Sequence, residues 1–233
     1  TRCLSDWSSD VCSSDLMLLP QLGPLVLERV ADLQQVGYFS AAFRLPALLY
    51  QLPGTLAAAF YPQLFYYGTR SLARHLELNI VELKLMGAIG VGMALPITLY
   101  PGLILRLLFG AEWTDSSAEA SLAILAWMVV LQSINYPLAD ALTTRGMQPR
   151  RTAVLSVGLL VGLVSYSAFG LRWGAIGAAM AAVGVECVLG VGFIVSNPHG
   201  MLLARKGLEI PIAMTIVGLA VGITTRELIE VEW

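Results

Sequence analysis

Along most of the chain, polar positions come in short bursts between long apolar stretches. Six stretches (37–64, 83–109, 118–143, 152–170, 175–195 and 208–224) are each long enough to cross a hydrocarbon layer about 30 Å thick as a tilted or kinked helix. Pro46, Pro53, Pro96 and Pro137 supply natural kink points. A shorter apolar stretch, 16–30, carries Pro20 and Pro24 and reads as the surviving part of one further span. Nothing resembles the ten-residue alternation of a membrane barrel, and in lipid every backbone N–H and C=O must be satisfied within the segment. The predicted fold class is therefore all-α: a polytopic transmembrane helical bundle of about six full spans plus one partial span. Gly158 with Gly162, Gly218 with Gly222, and Ala175 with Ala179 stand four apart, a spacing that lets helix backbones approach closely.

Composition agrees with this pattern. Hydrophobic residues make up 57% of the 233 positions and charged residues 13%, with a mean hydropathy of +0.73. A soluble domain carries about 25% charged residues, so too few charges are present here to coat a water-soluble core. The net charge of −2 gives no concentrated basic face for nucleic acid. The first sixteen residues depart from the rest. Residues 1–16 are polar, repeat Ser-Ser-Asp and hold Cys3 and Cys12. They lack the basic and apolar regions of a signal peptide. Residues 10–16 match the translation of a sequencing adapter, so 1–16 reads as an artefact joined to an incomplete gene and 17–233 as the transmembrane part. With those two cysteines set aside, Cys187 is the one cysteine left, and neither a disulfide framework nor a zinc site is expected.

Loop charge alternates. Segment 67–84 carries Arg70, Arg74 and Lys84; segment 145–151 carries Arg145, Arg150 and Arg151; segment 196–207 carries Arg205 and Lys206. The intervening segments hold only Arg29, Arg106, Arg172 and Arg226, with Glu112, Asp115, Glu227, Glu230 and Glu232 among them. The excess of Lys and Arg predicts that 67–84, 145–151 and 196–207 face the cytoplasm.

Polar residues inside spans are costly and mark candidate functional positions. In 37–64, Ser40, Arg44, Gln51 and Thr55 fall on one helical face if the helix is continuous. In 118–143, Gln132, Tyr136, Asp140 and Thr143 share a face, with Asn135 beside it. Two such stripes suggest a shared polar cavity. Arg44 lies roughly 10 Å into its span at 1.5 Å per residue, where it serves a cavity or snorkels outward. Asp140 sits near the cytoplasmic end of its span, so interfacial solvation competes with function. Glu186 is the deepest carboxylate; ion coupling and a structural pairing with Arg44 or a backbone group both remain open. No G-x-x-x-x-G-K-[ST] phosphate loop, Asp-x-Asp pair or nucleophile–base–acid set is present. His75 and His199 are read as loop residues with structural or solvated roles. The chain is not expected to be an enzyme, and no cofactor or metal is expected.

Several segments resemble a known family. Val36-Gly37-Tyr38-Phe39-Ser40-Ala41-Ala42-Phe43-Arg44-Leu45 and Leu56-Ala57-Ala58-Ala59-Phe60-Tyr61-Pro62-Gln63-Leu64 resemble segments of polysaccharide flippases of the multidrug/oligosaccharidyl-lipid/polysaccharide exporter superfamily. So do Ile104-Leu105-Arg106-Leu107-Leu108-Phe109-Gly110-Ala111-Glu112-Trp113, Leu122-Ala123-Ile124-Leu125-Ala126, Leu142-Thr143-Thr144-Arg145-Gly146 and Trp173-Gly174-Ala175-Ile176-Gly177-Ala178-Ala179. They occur in family order over about residues 25–200. The resemblance implies the C-terminal lobe of a two-lobed flippase of a bacterial cytoplasmic membrane, with the N-terminal lobe missing. It implies movement of an undecaprenyl-diphosphate-linked oligosaccharide across the membrane for surface polysaccharide assembly. Arg44 would meet the diphosphate; Ser40, Gln51, Thr55, Gln132, Asn135 and Tyr136 would bond sugars; Glu186 and Asp140 are candidates for ion coupling. Its partners would be the lipid-linked oligosaccharide, membrane lipid and the missing lobe, with no nucleic acid. Competing expectations are a drug/cation antiporter of the same superfamily, a membrane enzyme of polysaccharide assembly, and a non-transporting membrane protein.

Overall fold

A computed structural model describes residues 22–49, 51–110, 113 and 115–231, with side chains described to residue 224. Residues 1–16, Glu112 and the acidic C-terminal side chains therefore lie outside the description. The described residues are helical, with no strand among them. Residues 22–30 form α1, followed by α2 (Leu33–Leu49), α3 (Gln51–Arg70), α4 (Leu72–Leu99), α5 (Pro101–Phe109), α6 (Ser116–Thr143), α7 (Gln148–Ser196), α8 (Gly200–Gly207) and α9 (Glu209–Val231).

Local chemistry sets several boundaries. Pro101 begins α5, where its missing N–H costs nothing. Asp115 caps α6 by accepting from the Ser117 amide at 2.8 Å. At the other end of α6, Gly146 has φ +74 while its N–H reaches Thr143 O at 3.0 Å and the Met147 N–H reaches Leu142 O at 2.8 Å. That nested pair is a Schellman stop, and it favours glycine at the left-handed position.

The 49-residue α7 is two arms. As one straight rod it would extend about 74 Å at 1.5 Å per residue, over twice a hydrocarbon thickness of about 30 Å. Gly174 breaks it with φ +54 and ψ −129. The arms then fold back on each other: a methyl group at Gly158 would strike Leu189, one at Gly192 would strike Val154, and Gly162 lies against Val185. The expected separation of 152–170 from 175–195 is thus present, made by a single residue.

α6 is the central helix, packed against α2, α4 and both arms of α7. It runs antiparallel to α4, since His75 at the start of α4 meets Thr144 at the end of α6 while Gly87 and Gly90 lie against Ile134 and Ser133. Leu83, Met86, Leu122, Leu125, Leu138, Phe39 and Phe193 are fully buried at this centre. The outside is apolar too. Val157, Leu160, Val164 and Val195 on α7, and Ile216, Val217 and Val221 on α9, are exposed. A water-soluble bundle does not present such continuous apolar surface. Four helical stretches are long and apolar enough to cross a membrane: Leu72–Leu99, Ser116–Thr143, Gln148–Ser196 and Gly200–Thr224. These features point to a membrane protein with a helical-bundle fold. The expected 37–64 span is described as α2 and α3, neither of which is among those four, with Tyr50 outside the description.

Candidate functional site

The polar residues of the bundle gather in three places. The first is Glu186, on the second arm of α7. It is 7% exposed and meets two amides from α6. Gln132 Nε2 donates to Glu186 Oε1 at 3.0 Å; Asn135 Nδ2 donates to Oε2 at 2.8 Å and to the Glu186 carbonyl at 2.9 Å. One amide thus serves both the carboxyl and the backbone of one residue. The expected alternative pairing of Glu186 with Arg44 is not formed, because the carboxyl is occupied by α6 amides one helix away. Buried polar groups in a low-dielectric interior need such partners.

The second place joins α4, α6 and the start of α7. Asp140 is 4% exposed, so the expected interfacial solvation is replaced by burial. Its Oδ1 lies 3.7 Å from Arg151 Nη1, and that same nitrogen donates to Thr143 Oγ1 at 2.7 Å. The Thr144 hydroxyl donates to Asp140 O at 2.7 Å and lies 2.8 Å from His75 Nε2. His75, Asn79 and Glu82 fall at i, i+4 and i+7, on one face of α4, and all three are buried. The sequence reading assigned 67–84 to a loop and His75 with it. The structure makes this segment helical apart from Ser71 and buries His75 instead. Asn79 and Glu82 escaped for the same reason, although the 3–4 spacing of Leu76, Ile80 and Leu83 beside them is a readable helical signal; Arg151, expected as a loop base of 145–151, is instead buried at the start of α7.

The third place is the α2–α3 side. Arg44, Gln51 and Thr55 are exposed and Ser40 is half-buried. Thr55 turns its hydroxyl back to Leu52 O at 2.8 Å. Tyr136, half-buried on α6, brings its hydroxyl beside Gly54 of α3. The α6 stripe is therefore divided: Gln132 and Asn135 turn to the second arm of α7, Asp140 and Thr143 to its first arm, and Tyr136 to α3. Among the described residues, no three of His, Cys, Asp and Glu converge as a metal site. Cys187 is a free, exposed thiol. Compared with known proteins, the chain matches no protein-family model, no curated protein and no solved structure.

Proposed function

We propose that the chain is one lobe of a membrane transporter that moves a lipid-linked oligosaccharide across the cytoplasmic membrane of a bacterium. In this reading α4, α6, each arm of α7, and α8–α9 supply five crossings, and α2–α3 supply the sixth. The observation that carries it is the contrast between the two sides of the bundle. α6 and α7 use their polar side chains on each other and α4 buries its own, whereas Arg44, Gln51 and Thr55 leave theirs outside the packed core. A guanidinium free at that depth suits a diphosphate head group, whose lost hydration a bidentate cation offsets. Hydroxyl and amide groups on the same side suit sugar. The ordered segments that resemble polysaccharide flippases support the same substrate class. Transport would come from movement of this lobe against a second one, about a site shared between them.

The test is a flipping assay in proteoliposomes or complementation of surface polysaccharide in cells, with membrane insertion measured in parallel. Arg44→Ala is expected to abolish transport and Arg44→Lys to retain part of it. Transport by Arg44→Ala at the parent rate, with equal insertion, would sink the assignment. A cation antiporter would instead need Glu186 and Asp140 open to a lumen; both are engaged between helices, which favours the flippase reading.

A further inference from the structure

We propose that the groove between the two arms of α7 holds one acyl chain of an anionic phospholipid of the cytoplasmic leaflet, with Arg150 on its phosphate. At the ends remote from the Gly174 turn, the arms leave an open groove of about 450 Å³. Ala153 and Val157 form one wall, and Val188, Val191 and Val195 the other. All of these are exposed, so the groove opens on the apolar outside of the bundle. Gly192 and Val154 make its floor, so close that a methyl group on Gly192 would collide. None of the described lining residues is charged. From Arg150 to Val157 the first arm advances roughly 10 Å at 1.5 Å per residue, about a third of a hydrocarbon layer of about 30 Å. That suits the upper part of one chain within a single leaflet.

Arg150 supplies the head-group contact. Its Nη1 donates to the Ser196 carbonyl of the opposite arm at 3.0 Å and lies 3.8 Å from Met147 Sδ. Ser196 lines the groove, so the exposed guanidinium is pinned across its mouth. Both contacts use Nη1, and the fork of Nε and Nη2 matches two oxygens of one phosphate. Charge selects the lipid. Segments 145–151 and 196–207 meet at this end through Arg150 with Ser196 and Arg145 with His199. They carry Arg145, Arg150, Arg205 and Lys206 beside the buried Arg151, and no Asp or Glu. An anionic head group is drawn into that field, whereas a zwitterionic one brings its own ammonium group with it. A concave slot ending on a fixed cation separates a retained lipid from those that merely wet the convex apolar surface of α7. None of the side chains assigned to the transported substrate takes part, so failure here leaves the transport reading untouched.

The test is native mass spectrometry of the full chain released from detergent micelles, titrated with dioleoyl phosphatidylglycerol or dioleoyl phosphatidylcholine. Phosphatidylglycerol is expected to bind saturably and more tightly than phosphatidylcholine. Arg150→Gln should weaken phosphatidylglycerol by about fivefold or more, as loss of one basic contact at a membrane surface implies. Ala153→Phe fills the slot beside the mouth and should weaken it as well. Arg172→Gln, at the opposite end of the arms, should bind like the parent. All three positions are exposed, so the variants are expected to fold, with helical circular dichroism as the check. Equal binding of the two lipids by the parent marks general lipid coating and overturns the proposal. So does parent-like phosphatidylglycerol binding in either Arg150→Gln or Ala153→Phe, since the head group or the chain is then elsewhere. Displacement of phosphatidylglycerol by an equimolar amount of undecaprenyl phosphate would give the groove to a polyprenyl tail, and rejects the proposal too. Should one variant fail to fold, the other decides.

Discussion

Asn135 holds Glu186 at two points, its amide nitrogen lying 2.8 Å from the carboxyl and 2.9 Å from the carbonyl of the same residue. This clamp ties the middle of α6 to the second arm of α7 where both are buried. Removing it leaves a carboxyl and a carbonyl with fewer donors in the interior. Asn135→Ala is expected to cost about 1–3 kcal/mol of unfolding free energy. Asn135→Asp should cost more, because it replaces a donor with a second carboxylate against the first. Denaturant unfolding followed by helical circular dichroism would measure both, and equal stability of the two variants would count against the clamp.

Gln35 plays a comparable part at the turn between the arms. Its Oε1 accepts from the Ala175 amide at 3.1 Å and fills the space a side chain at Gly174 would need. Gly174→Ala should therefore destabilise twice over, through the left-handed φ at about 1–2 kcal/mol and through collision with Gln35. Gln35→Ala loses only a hydrogen bond worth about 0.5–1.5 kcal/mol. In the double variant the collision is gone. Its loss should be smaller than the two single losses together, and additivity in a double-mutant cycle would refute the link.

The arms of α7 meet through small residues, with Gly158 against Leu189 and Gly192 against Val154. Gly158→Val is expected to cost about 1–3 kcal/mol by overpacking. Adding Leu189→Ala should restore part of that loss, because the new volume then has somewhere to go. A rescue absent at Leu189 but present at a distant leucine such as Leu107 would show that the arms do not pack in this register.

Loop charge predicts sidedness. Ser116 and Gln148, at opposite ends of the α6 region, are both exposed. With the native cysteines replaced, a membrane-impermeant thiol reagent should label Ser116→Cys in intact cells, and Gln148→Cys only after permeabilisation. The reverse pattern would invert the assigned orientation.

Much of the bundle is legible in the apolar runs. The 118–143 stretch is α6 almost to the residue, and Trp173-Gly174 falls where two runs nearly touch. What the runs could not convey is partnership. Gln132 and Asn135 were read as lining a cavity, yet their donors meet an acidic residue 54 and 51 positions away. A stripe on one helix looks the same whether it faces water or another helix. The segment around His75 was obscured differently. Its charge density reads as a loop, because Arg74, Glu77 and Lys84 lie on the outer side of the same turns that bury His75, Asn79 and Glu82. Only a 3–4 periodicity count across 72–84 separates the two faces.

α9 seats Gly218 on Leu95 and Gly222 on Leu99, both of α4, while most of its remaining circumference stays apolar and uncovered. A helix attached along one seam melts on its own terms. Its departure would expose little of the centre around α6, so damage there should thin the edge of the bundle without dissolving the middle. The opposite holds for α6, whose four-sided packing makes it the member whose loss is shared by all the others.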